Sequence, residues 1–548
     1  MKTKYSFVFS GASVFVLLVG CTTLLGRKPA QDPSVCKNLK NLSISSQEIS
    51  LPTQGAVISQ TDLVNDRDER GFDRRYCRVL GEIKSVDPKA PPIHFQINLP
   101  ENWNNKALQM GGGGYNGTVV SGTSLISFSG TEGPTPLALG YATFGGDSGH
   151  SGDSTDASFA VNDEALLNFG HQHLKKTHDV AIVIIHNYFN MKPAKVYFAG
   201  ASTGGREALT VLQRWPQDYD GVISSAPALN FTGTRMNGLR IGKALYSKGG
   251  FLNSAKQDLV FKKVIAACDR LDNLEDGLVS NVEECRRISA ATLESLRCTG
   301  GGDLGDGCLS DAQLTSVRTI HTSLQLPYSL ANGIREHEGY NILEGADFRG
   351  NSGFGTSAKL QGQPTIENGY LFLQGSQWAR FLLTRDANFN ALNFDPAHPG
   401  KYQDRVVELS GIVGATDPHI EKFFARGGKL ILMHGQADAM ISTNPTIAYY
   451  KKLVELFGKE KVQAAVQFYL VPGFGHGWGS FAVSWDPLTA LDNWVEKNQR
   501  PEILIGRDMN KSTSGRGRPL CPYPRWPIYK GAGSKDEANN FACVETRR

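Results

Sequence analysis

The chain has 548 residues, of which 40% are hydrophobic and 20% are charged, with 57 Lys and Arg against 53 Asp and Glu. This composition is typical of a globular protein and excludes wholesale disorder and fibrous repeats. The small net charge of +4 and the absence of a long uninterrupted basic run argue against a nucleic-acid partner. At about 100–200 residues per domain, the chain is long enough for several domains or for one large domain with an insertion.

The first residues have the features of a bacterial export signal. A basic start at 1–4 precedes an apolar stretch over 7–19, and a cysteine, Cys21, follows. This order resembles a lipobox, so we expect cleavage before Cys21 and attachment of lipid to that residue. An uncleaved membrane anchor fits less well, because the apolar stretch is short for a bilayer span. We predict a signal peptide over 1–20, a tether over 21–35, and an exported lipoprotein that meets the membrane only through its anchor, either in the periplasm or at the outer membrane or cell surface.

Export changes how the remaining cysteines are interpreted. Apart from Cys21 the chain has an even number of cysteines, and none is arranged in the paired CxxC pattern of zinc sites. In an oxidising compartment the expected state is four disulfides. Eight cysteines allow 105 connectivities, so the spacing alone does not choose the pairs. The residues are Cys36, Cys77, Cys268, Cys285, Cys298, Cys308, Cys521 and Cys543.

The first half of the chain changes from a strand pattern to an alternating α/β pattern. Alternating apolar residues predict strands at 77–83 and 93–99. A long helical stretch over 166–188 precedes a strand at 195–199 and a helix that begins near Gly204. This alternation predicts an α/β fold with a mostly parallel sheet and helices on both faces.

The pattern is lost over 228–418, which contains four of the cysteines and several glycine-rich turns. It returns with strands at 429–433 and 466–471. We therefore predict a core formed by 36–227 and 419–548, interrupted by an inserted lid domain over 228–418.

The motif around Ser202 indicates a nucleophile. Gly200-Ala-Ser-Thr-Gly204 lies between a predicted strand and a predicted helix, and it is the one GxSxG sequence in the chain. Small residues permit the sharp turn that presents a serine oxygen at the edge of a sheet. A glycine and serine turn without chemistry is the alternative.

If Ser202 is the nucleophile, the order of hydrolase motifs requires an acid and then a histidine downstream. His476 is the only histidine after residue 434, and it follows a predicted strand. Asp438 also follows a predicted strand, whereas Asp486 and Asp492 come after the histidine. Asp438 would orient the imidazole of His476 and stabilise its cation. The alternatives are a surface histidine and a helix-capping aspartate.

A glycine run provides a candidate oxyanion hole. Residues 111–114 are all glycine and follow a strand-like segment, and backbone without side chains can approach a developing negative charge closely. We expect the N–H of Thr203 as one donor and a glycine N–H, that of Gly113, as the second. A flexible glycine turn is the alternative.

The segment from Cys268 to Leu278 is rich in carboxylates at short spacing. Hard oxygen ligands in a turn suit Ca²⁺, although the positions required of an EF-hand are not filled. On the residues alone, a solvated acidic loop is as good an explanation as a metal site.

Taken together, these motifs resemble the tannase and feruloyl esterase family, which includes the hydrolase of mono(2-hydroxyethyl) terephthalate. The resemblance extends from about Cys36 to Cys543, and it implies an α/β-hydrolase core with a lid, a triad of Ser202, Asp438 and His476, and no organic cofactor. The motifs that carry it are Trp103-Asn104, Asp147–His150, Gly200–Arg206, His434–Asp438, Gly475-His476 and Trp494–Glu496.

The resemblance also implies a calcium site and a disulfide pattern. The matching ligands are the side chains of Asp269, Asp272 and Asp276 and the carbonyls of Leu274 and Leu278. The implied pairs are Cys36 with Cys77, Cys268 with Cys285, Cys298 with Cys308, and Cys521 with Cys543.

The sequence departs from the family at the triad. The family usually has a cysteine just before the serine and another just after the histidine, joined to each other, whereas this chain has Ala201 and Gly477 there. Packing alone must then position the His476 loop. We expect a working enzyme with a looser histidine, in which a bridge between cysteines placed at 201 and 477 would form and stabilise the fold.

These features predict a serine esterase that cleaves feruloyl, other hydroxycinnamoyl or galloyl esters. A hydrolase of terephthalate half-esters is the alternative, and it requires a cation from the lid; Arg380 and Arg385 lie in that segment, but the sequence does not show whether they face the pocket. A surface binding protein on an inactive hydrolase scaffold is the alternative that is not an enzyme. The expected partner is a small aromatic ester, and the sequence does not determine the oligomeric state.

Overall fold

The computed structural model describes residues 33–545. The predicted signal peptide, the lipidated Cys21 and nearly all of the predicted tether lie outside the described residues. Within 33–545, no helix combines the length and the apolar character needed to cross a membrane.

The helices and strands fall into three groups along the chain. The first group is α1 (Pro33–Asn38), β1 (Ser43–Ile44), β2 (Ala56–Arg67), β3 (Asp73–Ile83), β4 (Ile93–Pro100), β5 (Lys106–Met110), β6 (Ala142–Gly146), α2 (Asp163–Leu167), α3 (His173–Phe189), β7 (Lys195–Ala201), α4 (Thr203–Arg214) and β8 (Gly221–Ser225). The second is α5 (Phe231–Leu245), α6 (Ser254–Cys268), α7 (Val282–Glu294), α8 (Asp311–His321), β9 (Leu324–Gln325), β10 (Glu336–His337), α9 (Tyr370–Gln377) and α10 (Gln403–Val413). The third is α11 (Glu421–Ala425), β11 (Lys429–Gly435), α12 (Thr443–Phe457), α13 (Lys459–Ala465), β12 (Val466–Val471), β13 (Val483–Ser484), α14 (Pro487–Lys497), β14 (Leu504–Asp508), β15 (Gly517–Leu520), β16 (Trp526–Tyr529) and β17 (Phe541–Val544).

Ten strands of the described chain form one mixed sheet, in the order β1-β2-β3-β4-β6-β5-β7-β8-β11-β12. From β6 to β12 neighbouring strands are parallel, and the strands before β6 pair antiparallel. The parallel strands β7, β8, β11 and β12 are buried along almost their whole length. Strands covered on both faces are apolar throughout, which accounts for the nearly continuous hydrophobic runs of these segments.

The segment 228–418 is inserted between two neighbouring strands. β8 and β11 pair in parallel although this segment separates them in the sequence. Its own strands, β9 and β10, pair only with each other. The chain leaves the sheet at the carboxyl end of β8, and the two ends of the insertion lie together there, because Ala415 N–H donates to the Leu229 carbonyl at 2.9 Å.

The helical stretch predicted over 166–188 is not one α-helix. It consists of α2, a π-helical turn over Asn168–Gln172, and α3. The buried guanidinium of Arg206 donates from Nη1 to the Gly170 carbonyl at 2.6 Å and from Nη2 to the Phe169 carbonyl at 3.1 Å. A π turn offers carbonyls that a regular α-helix would use internally, so a contact distant in the sequence sets the local geometry.

The structure contains four disulfides, which are the pairs that the family resemblance implies. Two lie within the inserted segment, one ties α1 to β3, and one joins two segments near the C-terminus. They are Cys36–Cys77, Cys268–Cys285, Cys298–Cys308 and Cys521–Cys543.

We predict that removal of the Cys36–Cys77 bond destabilises the fold more than removal of Cys298–Cys308. The first bond closes a sequence separation of 41 residues and the second a separation of 10. Constraining a longer loop removes more entropy from the unfolded chain, and such bonds contribute about 2–4 kcal/mol. Urea unfolding of the two double Cys→Ala variants measures this. An equal or smaller loss for Cys36–Cys77 would contradict the prediction.

Candidate active site

Ser202 lies on a strained turn between β7 and α4. Its backbone φ is 61° and its ψ is −121°, a conformation that a residue with a side chain rarely adopts. The turn is held on both sides, because Ser202 N–H donates to the Ser225 carbonyl at 3.0 Å and the Ser202 carbonyl accepts from Ala228 N–H at 3.1 Å. Strain that the surrounding structure maintains in this way is typical of a functional residue.

The glycines of the GxSxG motif permit close backbone contacts. A Cβ on Gly200 would lie 2.5 Å from the Gly204 carbonyl oxygen, and a Cβ on Gly204 would lie 2.7 Å from that of Gly112. No real Cβ tolerates such contacts. The motif therefore brings the start of α4 against the glycine run that follows β5, and Gly204 N–H donates to the Gly112 carbonyl at 2.9 Å.

Asp438 and His476 form a buried pair at the ends of the neighbouring strands β11 and β12. Asp438 Oδ2 lies 2.7 Å from His476 Nδ1, and Asp438 Oδ1 accepts from the backbone N–H groups of Met440 and Ile441 at 2.8 and 2.9 Å. Asp438 is 1% exposed and His476 is 8% exposed. Because the carboxylate only accepts, Nδ1 carries a hydrogen, and the other ring nitrogen of a neutral imidazole is left able to take a proton.

A second histidine, His434, supports the carboxylate. Its Nε2 lies 3.0 Å from the Ile441 carbonyl and 3.4 Å from Asp438 Oδ2, and its Nδ1 lies 2.9 Å from Thr446 Oγ1. A carbonyl only accepts, so Nε2 carries the hydrogen and also points toward the acid. Burial alone would raise the pKa of Asp438, but the charges and hydrogen bonds of His476 and His434 lower that pKa far below its ordinary value. The acid therefore stays ionised across the range in which proteins work.

The glycine run lies against the nucleophile turn. Thr203 Oγ1 donates to the Gly114 carbonyl at 2.6 Å. Added Cβ atoms at Gly111, Gly112 and Gly114 would all clash, whereas one at Gly113 would meet nothing within 4 Å. Gly113 thus borders open space within a glycine run whose neighbouring positions are tightly packed.

A buried carboxylate that the sequence analysis missed, Glu207, anchors this glycine run. Its Oε2 accepts from Gly112 N–H at 3.1 Å, and its Oε1 accepts from Asn116 Nδ2 at 2.6 Å. Its side chain is completely buried beside His173 and Arg206, at 3.6 and 3.8 Å. Glu207 lies five positions after Ser202 on α4, and its neighbours in the sequence give no sign of the role.

The Asp147–His150 motif supports the same loop from the opposite side. The His150 ring lies with Nε2 2.8 Å from the Tyr115 carbonyl and stacks on Phe159 with a centroid distance of 3.7 Å. Burial lowers the pKa of His150 to about 4, so the ring is neutral at ordinary pH. Asp147 holds the start of this motif by accepting from Gly149 N–H at 2.9 Å.

The predicted calcium ligands lie on one loop. Asp269 accepts from the N–H groups of Asp276 and Gly277, and Asp272 and Asp276 accept from those of Leu274 and Leu278. Burial, with the charges of Asp276 and Asp269, raises the pKa of Asp272 to about 6. The oxygen donors are those that Ca²⁺ prefers, and a divalent cation would relieve the mutual repulsion of the three carboxylates.

In this loop Asp276 Oδ2 is paired with Arg518 and lies 3.9 Å from Arg516 Nη1. Across residues 33–545, no three His, Cys, Asp or Glu side chains are grouped so that they could hold a metal ion. The oxygen donors of the loop suit Ca²⁺ chemically, but the side chain of Asp276 would have to leave Arg518 to join the other two carboxylates around an ion.

The two arginines considered for substrate binding have local partners. Arg385 pairs with Asp163, and Arg380 Nε donates to the Ala387 carbonyl at 2.8 Å with its guanidinium over Phe381. A different arginine of the inserted segment is buried: Arg235 is 1% exposed and lies over the rings of Tyr115 and Phe231, at 5.1 and 4.2 Å. Its Nε and Nη1 have no hydrogen-bond partner in the described part of the chain.

Comparison with known proteins identifies the relatives of this chain. A family model described as "Tannase and feruloyl esterase" matches residues 77–544. An uncharacterized esterase of Agrobacterium fabrum is 41% identical over 94% of both chains, and the mono(2-hydroxyethyl) terephthalate hydrolase of Piscinibacter sakaiensis is 27% identical over 85% of its length and 86% of this chain. The crystal structure of feruloyl esterase B from Aspergillus oryzae superposes with a TM-score of 0.74 at 23% identity, covering 93% of this chain and 99% of that one. The structural likeness confirms the predicted α/β-hydrolase fold.

We predict that Glu207→Gln lowers kcat about 100-fold with little change in KM, since loss of one oxyanion-hole donor has effects of this size. The amide keeps the shape but places a donor against Gly112 N–H or Asn116 Nδ2, so the glycine run shifts. Steady-state kinetics on an ester that the wild type cleaves measures the effect. Glu344→Gln is the matched control, because its side chain is equally buried but contacts His321 and Arg286 instead. Equal losses in the two variants would contradict a role for Glu207 in the oxyanion loop.

Proposed function

The chain belongs to the tannase and feruloyl esterase family, whose members are carboxylic ester hydrolases, and we propose that it cleaves esters of aromatic acids through an acyl-enzyme. The observation that carries this proposal is the combination of a strained serine after β7 with a buried Asp–His pair at the ends of β11 and β12. Feruloyl and other hydroxycinnamoyl or galloyl esters are the expected substrates. The exposed ring of Trp478 beside His476, at a centroid distance of 6.4 Å, offers an apolar face to an aromatic ester.

The proposed reaction begins with attack by Ser202 Oγ on the ester carbonyl carbon. The serine proton passes to Nε2 of His476, whose other nitrogen is held by Asp438. The tetrahedral intermediate collapses as His476 returns that proton to the leaving alcohol, which leaves an acyl group on Ser202. Water then attacks the acyl carbon and gives a proton to His476. As this second intermediate collapses, His476 returns the proton to Ser202 Oγ and the free acid is released.

The developing negative charge on the carbonyl oxygen needs fixed donors. We propose the backbone N–H groups of Thr203 and Gly113 for this role. Support comes from the contacts that hold the two segments together, Gly204 N–H to the Gly112 carbonyl and Thr203 Oγ1 to that of Gly114. Donors held in this way need not reorganise as the charge forms, and preorganisation of this kind is a large contribution to catalysis.

Hydrolysis of terephthalate half-esters is a second candidate function, and Arg235 is the observation that favours it. This guanidinium is buried in the inserted segment, next to Tyr115 and with two nitrogens that lack acceptors. The aromatic rings and the hydroxyls of Tyr115 and Tyr370 offset part of the cost of burying this charge, but the two nitrogens without acceptors remain unfavourable unless a ligand supplies acceptors for them. We propose that this segment is a lid and that Arg235 favours an acid component carrying a second anionic or acidic group.

We also propose that the acidic loop binds Ca²⁺ as a structural ion and that the chain works outside the cytoplasm. The carboxylates of Asp269, Asp272 and Asp276, with the carbonyls of Leu274 and Leu278, would hold the ion. Four disulfides support an oxidising compartment, in agreement with the lipobox-like sequence that ends at Cys21.

We predict that the chain from residue 22 onward hydrolyses at least one of methyl ferulate, methyl gallate and mono(2-hydroxyethyl) terephthalate. Ser202→Ala should be inactive on all three, because alanine lacks the hydroxyl that would form the acyl-enzyme. Arg235→Met keeps the length and burial of the side chain but removes its charge. Arg235→Met should lose more kcat/KM on the half-ester than on methyl ferulate, by a factor of about 10 or more, as expected for loss of one charged hydrogen bond.

A folded wild type that cleaves none of the three esters and does not react with a fluorophosphonate would exclude the proposed reaction and favour a binding protein. Equal effects of Arg235→Met on the half-ester and on methyl ferulate would exclude the proposed role of Arg235.

Calcium should raise the thermal midpoint of chelator-treated protein, because an ion that binds only the folded state stabilises it. Differential scanning calorimetry with and without Ca²⁺ measures this shift. Asp272→Asn should abolish the shift, whereas Glu275→Gln, an exposed carboxylate of the same loop, should keep it. A midpoint that does not respond to Ca²⁺ in the wild type would refute the calcium proposal, whatever the activity.

A further inference from the structure

The catalytic histidine lies on a loop with no covalent link to the nucleophile strand. The residues beside Ser202 and His476 are Ala201 and Gly477, which have no thiol. The Asp438 hydrogen bond fixes one nitrogen of the His476 ring, but a single bond leaves the ring free to tilt about that contact. Something else must set the plane of the ring, and the aromatic side chain of Phe128 is in position to do so.

Phe128 packs edge-to-face against the catalytic imidazole. The two ring centroids are 5.1 Å apart with an interplanar angle of 82°. The same phenyl ring makes a second edge-to-face contact with buried Phe474, at 5.8 Å and 88°. Both distances lie in the favourable range for aromatic pairs. Phe128 thus contacts the ring of His476 and the loop that carries it.

The backbone of Phe128 is strained, and its surroundings hold it. Its φ is 66°, in the left-handed region that a bulky residue rarely occupies. The Phe128 carbonyl accepts from Trp485 Nε1–H at 2.9 Å, and the next carbonyl, that of Ser129, accepts from Trp485 N–H at 2.7 Å. Ser129 Oγ in turn donates to the Ile126 carbonyl at 2.7 Å. A strained conformation retained by so many contacts is a sign that the ring must point in this one direction.

Gly477 provides independent support for the same conclusion. Its φ is 93°, and a Cβ at this position would lie 2.9 Å from Cε1 of Phe128. The absence of a side chain after the histidine therefore makes room for the phenyl ring. A cysteine at 477 would meet both the ring and an unfavourable backbone conformation.

We propose that Phe128 is a positioning residue for His476, and that the loop over 126–130 performs the orienting function that a covalent link next to the triad would otherwise supply. This inference rests on the proposed serine hydrolase function. It assigns to Phe128 no contact with the reacting atoms. Its effect on rate comes through the placement of His476 Nε2 relative to Ser202 Oγ, and small errors in such placement have effects of about 100-fold.

The decisive variant is Phe128→Gly. Glycine adopts a φ of 66° without strain, so this change removes the ring while relieving the backbone. We expect kcat to fall about 10- to 100-fold with KM nearly unchanged. The rate of Ser202 labelling by a fluorophosphonate should fall by a similar factor, because it depends on the same histidine. Phe128→Tyr keeps the ring and should retain most of the activity.

A second pair of variants, Phe128→Ala and Phe424→Ala, separates the proposed role from a general loss of aromatic packing. Phe424 is also partly buried and makes one edge-to-face contact, with Phe457 at 5.3 Å, on a helix outside the site. Phe424→Ala should lower the thermal midpoint without a selective loss of kcat, whereas Phe128→Ala should lower kcat as well.

The outcomes separate the two levels of the argument. A wild type that neither turns over an ester nor labels would overturn the serine hydrolase function itself. A wild type that labels normally, together with Phe128→Gly that keeps kcat within about twofold, would overturn the positioning role alone. If Phe128→Tyr loses as much kcat as Phe128→Gly, the positioning role would also be contradicted, because the tyrosine variant keeps the ring.

Discussion

The candidate site depends on close backbone contact at the ends of parallel strands. The turn after β7 can carry Ser202 in a strained conformation only because Gly200 and Gly204 let backbone atoms approach more closely than any Cβ would allow. The same contact brings the glycine run after β5 against the start of α4. Since parallel strands end at a common edge, the acid after β11 and the histidine after β12 lie at the same edge as the serine after β7. Sheet topology thus determines which groups meet, and the glycines determine how closely.

Buried charges then fix the parts that the sheet has brought together. Asp438, Glu207 and Arg206 are each essentially inaccessible to solvent. Asp438 contacts His476, His434 and two backbone N–H groups. Glu207 accepts from the glycine run, and Arg206 donates to three backbone carbonyls. A buried charge that keeps its partners specifies one arrangement, because every displacement leaves a charge unsatisfied. Asp438 and the glycine run after β5 are therefore held by the same kind of interaction.

The sequence predicts those features that depend on local pattern. The strand at 466–471 is observed with the same bounds, and the GxSxG motif lies on the turn between a strand and a helix as expected. The features that the sequence does not reveal depend on contacts between distant segments. The π turn before α3 follows from Arg206, the support of the glycine run follows from Glu207, and the packing of His476 follows from Phe128, more than 300 positions earlier in the chain. No periodicity or spacing rule marks a residue whose role is to contact another element.

The covalent and non-covalent restraints of this fold act in different places. The four disulfides within residues 33–545 join α1 to β3, close two loops in the inserted segment, and join the C-terminal segments, so none links β7, β11 and β12 to one another. A disulfide acts mainly by restricting the unfolded chain, whereas catalysis requires the correct position in the folded state. Aromatic packing and paired charges supply that position through contacts that weaken steeply with displacement. Covalent bonds can therefore stabilise the fold elsewhere, while Asp438 and His476 are held by contacts that exist only when the edge of the sheet is assembled.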